Sequence, residues 1–206
     1  MDKTRFVNEV VLGWMKSDLV RMRDSIRPVS SEVGNINFPL ALCVLSYMEY
    51  LGGFLLGKDV SYTTNVNEYI STCFRNTEEY PPEILNDLIR NGLAHDYFPR
   101  GAISRNGKHP AIYKGRTYEL VLDAETLVND FVNSLPIFIS KLDDTKYEAR
   151  MKTAMDRIEE LKQKHKDYID ELPCQPDDGD QATPSSGPSG YPGPINNTTT
   201  LDPSIR

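Results

Sequence analysis

Apolar residues recur three or four apart along most of the chain, and the rhythm breaks into helices of different character. Val7, Val11, Trp14, Met15, Leu19, Met22 and Ile26 predict a first helix from Asp2 to about Ile26 with one buried face. Arg27-Pro28 ends it, because proline pushes the preceding residue out of helical geometry. Asn37 suits the cap of a second helix through Leu56, with Pro39 tolerated in its first turn and Gly57 closing it. A third helix fits Asn65 to Arg75, with Val66, Tyr69, Ile70 and Phe74 inward. Pro81-Pro82-Glu83 opens a fourth that runs through Ile84, Leu85, Leu88 and Ile89 to His95.

After His95 the period changes. Asn106-Gly107 is a strong hairpin signal and Lys114-Gly115 suggests a second turn. They predict a small β-meander at about 101–122, with strands near Ala102–Arg105, Ala111–Tyr113 and Arg116–Leu122, and Pro110 at an edge or strand start. Asp123 is a natural N-cap for a fifth helix carrying Leu127, Phe131, Leu135, Phe138 and Leu142 on one stripe, with Pro136 as a kink site. A sixth helix spans about Lys146 to Leu172, with Tyr147, Met151, Met155, Ile158, Leu161, His165 and Tyr168 along its seam, so it packs against the body or a partner chain. From Pro173 onward proline, glycine, serine, threonine and aspartate dominate, too little apolar surface to offset ordering entropy. The expected fold is mainly α: a helical bundle domain over 1–172 with a small β-hairpin or meander insertion, then a disordered tail over 173–206. No internal repeat is visible.

Composition refines this reading. Cys43, Cys73 and Cys174 are odd in number and widely spaced, which fits a reducing cytoplasm rather than a disulfide framework or a metal site. The N-terminal apolar runs are broken by Asn8 and Glu9, too short for a signal peptide, so a cytoplasmic location is expected. Phe38 to Leu56 is nearly long enough to cross a bilayer, but Glu49 sits near its middle among Pro39, Ser46, Gly52 and Gly53; a buried bundle helix is the better reading, with no membrane partner. The net charge is −7 over 206 residues. Residues 174 to 206 hold four aspartates against Arg206, a net −3, which leaves −4 to the body. Within the body, Tyr97 to Tyr118 carries Arg100, Arg105, Lys108, Lys114 and Arg116 and no acid, directly after His95.

Arg90-Asn91-Gly92-Leu93-Ala94-His95 is the chemically informative segment. In α-helical geometry Asn91 and His95 share a face, and the long Arg90 side chain can arc toward the imidazole. Gly92 permits close approach of backbone or substrate. Such a set suits phosphodiester cleavage. Histidine moves a proton near neutrality, arginine's planar fork holds a phosphate, and asparagine orients either group. The arginine, the polar residue after it, and a histidine after four intervening residues resemble the motif of the HEPN superfamily, and the helical context over roughly residues 5 to 172 is similar too. The resemblance implies a metal-independent endoribonuclease without cofactor, with Arg90, Asn91 and His95 catalytic, working as a homodimer of facing motifs and leaving a 2′,3′-cyclic phosphate. A toxin or defence effector with an antitoxin or regulatory protein fits that picture. The acid-free stretch, with Tyr97, Phe98, Tyr113 and Tyr118, would supply RNA contacts through Arg100, Arg105, Lys108, Lys114 and Arg116.

Other readings remain open on the same residues. Arg90 and His95 also fit a surface arginine and an imidazolium at a helix C-terminus. Glu49 either neutralises Arg90 within the bundle or supports the site. His109 fits a hairpin side chain, His165 a packed or interface histidine. The whole chain also fits a non-catalytic HEPN-like module that binds protein or RNA, or an antitoxin-paired or nucleotide-binding accessory subunit. No Gly-rich phosphate loop, nucleophile elbow or metal-ligand cluster is present in the sequence.

Overall fold

Twenty consecutive residues with a single formal charge make the central element, helix α2 (Asn37–Leu56). In the computed structural model, which describes residues 1–25, 37–58, 60–92, 101–107 and 110–172 (side chains of 88 and 89 excepted), other elements cover α2 along most of its length. Leu40, Ala41, Val44, Leu45, Met48, Leu51 and Phe54 have no exposed surface. Each such aliphatic or aromatic side chain contributes roughly 1.5–3 kcal/mol by leaving water. By length and composition alone α2 would pass for a membrane span; in the fold it is the core of a bundle. Gly57 ends it with a positive φ of 73°, a conformation that costs glycine nothing.

The chain enters through α1, one continuous helix made of Lys3–Arg5, a π-wound stretch Phe6–Lys16, and Ser17–Ser25, capped by the Asp2 carboxylate on the Arg5 amide at 2.9 Å. The wider i→i+5 winding changes which residues face inward. Phe6, Val11, Met15 and Leu19 are buried, while Val7 is only partly so and Trp14 is exposed, contrary to the stripe expected from α-helical spacing. Helix α3 (Tyr62–Cys73) begins three residues earlier than expected because Ser61 caps it, its hydroxyl accepting from the Thr64 amide. It crosses α2 at Gly52. A Cβ there would lie 1.9 Å from the Asn65 carbonyl oxygen, which belongs to backbone and cannot swing away. Gly52→Ala should therefore cost at least about 3 kcal/mol in urea unfolding; a loss under about 0.5 kcal/mol would show that α2 and α3 separate easily.

Beyond a 3₁₀ turn at Thr77–Glu79, helix α4 starts at Pro82–Ile84 and continues as a π-wound Leu85–Arg90. Helix α5 (Ala124–Lys141) runs straight on from the sheet through Pro136 and buries Leu127, Val128, Phe131, Leu135 and Phe138 against α2 and α3. Tyr69 of α3 packs on Phe131 and Phe138 and shares a hydrogen bond of 2.8 Å with Ser134. Helix α6 (Asp144–Lys164), capped by Asp143, and the short α7 (Lys166–Asp170) complete the described chain. Only the first turns of α6 join the core: Tyr147 packs with Phe6 and Phe54, and the buried Arg150 lies over the rings of Tyr50 and Phe54.

A small sheet sits where the period changes: β1 (Ala102–Ser104), β2 (Ile112–Tyr113) and β3 (Val121–Asp123). Its order is β1-β3-β2, so it is not a meander. β2 and β3 form an antiparallel hairpin, with Ile112 opposite Leu122, whereas β1 lies parallel to β3 with Ile103 opposite Leu122. The Asn106-Gly107 turn therefore does not join paired strands. It folds round the buried Asp123 carboxylate, which accepts from the amides of Asn106 and Gly107 at 3.2–3.3 Å and from the Ser104 hydroxyl at 3.2 Å. The same carboxylate caps α5 through the Glu125 and Thr126 amides at 3.0 and 3.1 Å. Residues Met1–Glu171 form one compact unit, mainly α with this small sheet. The tail expected over 173–206 lies outside the described residues.

Candidate functional site

Arg90 comes at the end of the π-wound turn of α4, where the Asn91 amide donates to the Asn86 carbonyl five residues back. That winding differs from the α-helical geometry assumed in placing Asn91 and His95 on one face. The guanidinium is held from three sides. Its Nη2 lies 3.7 Å from Glu49 Oε2 on α2, its Cζ sits 5.0 Å from the centre of the Tyr62 ring on α3, and its Nη1 donates to Asn91 Oδ1 at 3.3 Å. The side chain remains 30% exposed. Three helices thus fix a cation whose outer edge stays reachable. Asn91 is half-buried beside it and Gly92 is buried.

Tyr62 was not legible as a site residue, since it falls ahead of the helix expected from Asn65 and belongs to no periodic pattern. Its ring is the platform under Arg90. Burial, with the Glu49 charge adding to it, pushes the Tyr62 phenol well up, so it stays a neutral hydroxyl. That hydroxyl is buried and has no hydrogen-bond partner among the described residues. Glu49, open between two roles in the sequence, pairs with Arg90 and sets its position. His95, expected as the third member of the motif, lies outside the described residues, and so do Arg100, Lys108 and His109.

The basic stretch divides. Lys114 and Arg116 are exposed on the β2–β3 connection, with the Tyr118 ring 56% exposed nearby in sequence. Arg105 is a correction to the expected RNA contacts: its side chain is only 2% exposed. It donates to the Arg23 carbonyl and lies 3.7 Å from Glu125, tying α1 and α5 to the loop after β1. A buried, paired guanidinium is structural and presents nothing to a phosphate.

A cleft of about 450 Å³ opens elsewhere, between the end of α3 and the middle of α5, lined among others by Cys73, Arg75, Tyr80, Asp130 and Ser134. Tyr80 donates a hydrogen bond to Asp130 there. The Cys73 thiol is buried and pushed up to about 12, chiefly by burial and then by Glu68, so it stays a neutral thiol. Among the described residues no group of three or more His, Cys, Asp and Glu side chains is placed to hold a metal ion. No family model, no curated protein and no solved structure matches the chain.

Proposed function

We propose that the chain is an endoribonuclease of the HEPN type that cleaves RNA through attack of a ribose 2′-oxygen on the adjacent phosphorus. The P–O5′ bond breaks, a 2′,3′-cyclic phosphate forms, and the 5′-oxygen leaves with a proton. His95 is the proton-transfer residue, Arg90 stabilises the phosphoryl oxygens, and Asn91 orients Arg90. The observation that supports this reading is the placement of Arg90: a π-wound turn delivers it beside Asn91, and Glu49 and Tyr62 fix it with one edge open. Such π segments recur at functional sites, and a preorganised guanidinium loses little freedom when it meets a phosphate. Lys114 and Arg116 would steer the RNA backbone by charge. A homodimer of facing motifs, and a toxin or defence role with an inhibitory partner, belong to the same proposal.

The test is direct. Full-length protein incubated with a labelled single-stranded RNA and excess EDTA should yield fragments ending in a 2′,3′-cyclic phosphate. Intact RNA at equimolar protein after an overnight incubation would reject the nuclease and favour the non-catalytic module, a reading that the exposed half of α6 favours.

A further inference from the structure

From Met155 to Asp170 every residue of α6 and α7 is exposed, a stretch of about 24 Å. The two helices meet at a turn at His165, φ −110° and ψ 20°, across which the His165 amide still donates to the Leu161 carbonyl at 3.1 Å and the Ile169 amide to the His165 carbonyl at 3.0 Å. Helices gain most of their stability from packing an apolar face, and this stretch packs its own on nothing in the compact unit. The face is not random. Met151, which packs against the core, and Ala154, half-buried, lead into Ile158, Leu161, His165 and Tyr168 in alternate steps of three and four, the a and d positions of a heptad seam, and Met155 and Ile169 widen it on the e side. Ile158, Leu161 and Tyr168 are 45%, 49% and 67% exposed.

The charges on either side of the seam choose the occupant. Arg157, Lys162 and Lys164 flank it at e and g positions, with Glu171 the sole acid there, while Asp156, Glu159, Glu160, Asp167 and Asp170 lie on the outer face. A second copy of the chain meets like charges in either direction. Parallel pairing sets Arg157 against Lys162 of the other copy, and antiparallel pairing of the whole seam sets Arg157 against Lys164. We propose that this projecting helix docks an amphipathic helix of a different protein, one with an apolar a/d stripe flanked by Glu or Asp. The segment from Met155 to Glu171 has four basic and six acidic residues, a net −2, which disfavours an anionic lipid surface. The proposal does not depend on nuclease activity.

The probe is a pair of labelled three-heptad peptides with Ile at a and Leu at d, one carrying Glu and the other Lys at every e and g. Fluorescence anisotropy with the full-length protein should show the Glu peptide binding at least about tenfold more tightly, with the preference shrinking as salt rises. Ile158→Glu with Leu161→Glu should abolish that binding without changing the circular dichroism of the fold, since both side chains lie outside the core. Arg157→Glu with Lys162→Glu should reverse the preference toward the Lys peptide. Equal affinity for the two peptides, or no saturable binding of the Glu peptide, would overturn the proposal. So would self-association that Ile158→Glu with Leu161→Glu abolishes, or partition of the wild-type protein onto phosphatidylserine-containing vesicles that the same pair of substitutions removes.

Discussion

His95→Ala should lower RNA cleavage by about a hundred- to ten-thousand-fold while leaving the unfolding midpoint unchanged, since a positioned proton-transfer group is worth that factor. Arg90→Lys should cost about a hundred- to a thousand-fold, because an ammonium cannot present a planar fork to two phosphoryl oxygens. Arg90 also neutralises Glu49 and lies over Tyr62, so a loss on Arg90→Gln alone is ambiguous. The pair Glu49→Gln with Arg90→Gln separates the two roles. If Arg90 only balances the carboxylate, removing both charges restores stability and cleavage together. If Arg90 acts on the phosphate, stability returns and cleavage does not. Cleavage by the double variant within about threefold of wild type, read as initial rates on one RNA, would remove Arg90 from the mechanism.

What could be read from the sequence follows the range of the interaction that decides each feature. Helix α2 was legible in its extent and burial, because a long apolar run closed by Gly57 carries its own signal, although Asn37, expected as its cap, is already helical and its side-chain amide donates to the Ile103 carbonyl at 3.3 Å. The cap of α5 by Asp123 was legible for the same local reason. The π-wound stretches Phe6–Lys16 and Leu85–Arg90 were not: a periodicity of 3.6 assumes the winding it is used to infer, so Trp14 was placed inside although the fold leaves it exposed. The sheet's position showed in its turn residues, but the parallel pairing of β1 with β3 depends on contacts distant in sequence. Arg105 looked like surface charge, because its partners Glu125 and the Arg23 carbonyl are visible only once the chain has folded. Periodicity marked an apolar face along α6 and α7 but not the break between them at His165, and it cannot say what lies against that face.

Asp123→Ala should be the most damaging polar substitution in the compact unit, costing about 3–5 kcal/mol and lowering the melting temperature accordingly. Asp123 has no exposed surface, and its two oxygens gather the amides of Asn106, Gly107, Glu125 and Thr126 with the Ser104 hydroxyl. Loss of a helix cap alone costs about 1 kcal/mol. Here the amides of Asn106 and Gly107, exposed residues of the loop after β1, lose their charged acceptor as well, and a hydrogen bond to a charged group contributes about 1.5–3 kcal/mol. Asp123→Asn should recover only part of the loss, because its NH₂ would face N–H donors on one side of the ring of contacts. Ser104→Ala should cost about 1–2 kcal/mol, as it removes one donor to Asp123 and takes the acceptor from the Tyr113 hydroxyl, which donates to Ser104 Oγ at 3.1 Å. Hydrogen exchange gives the localised readout: in the Asp123→Ala protein the four amides should exchange faster while the α2 amides stay protected. An Asp123→Ala protein less than about 1 kcal/mol below wild type would mean that water or a relaxed loop replaces the carboxylate, and that the turn at Gly107, with its φ of +64°, holds without it.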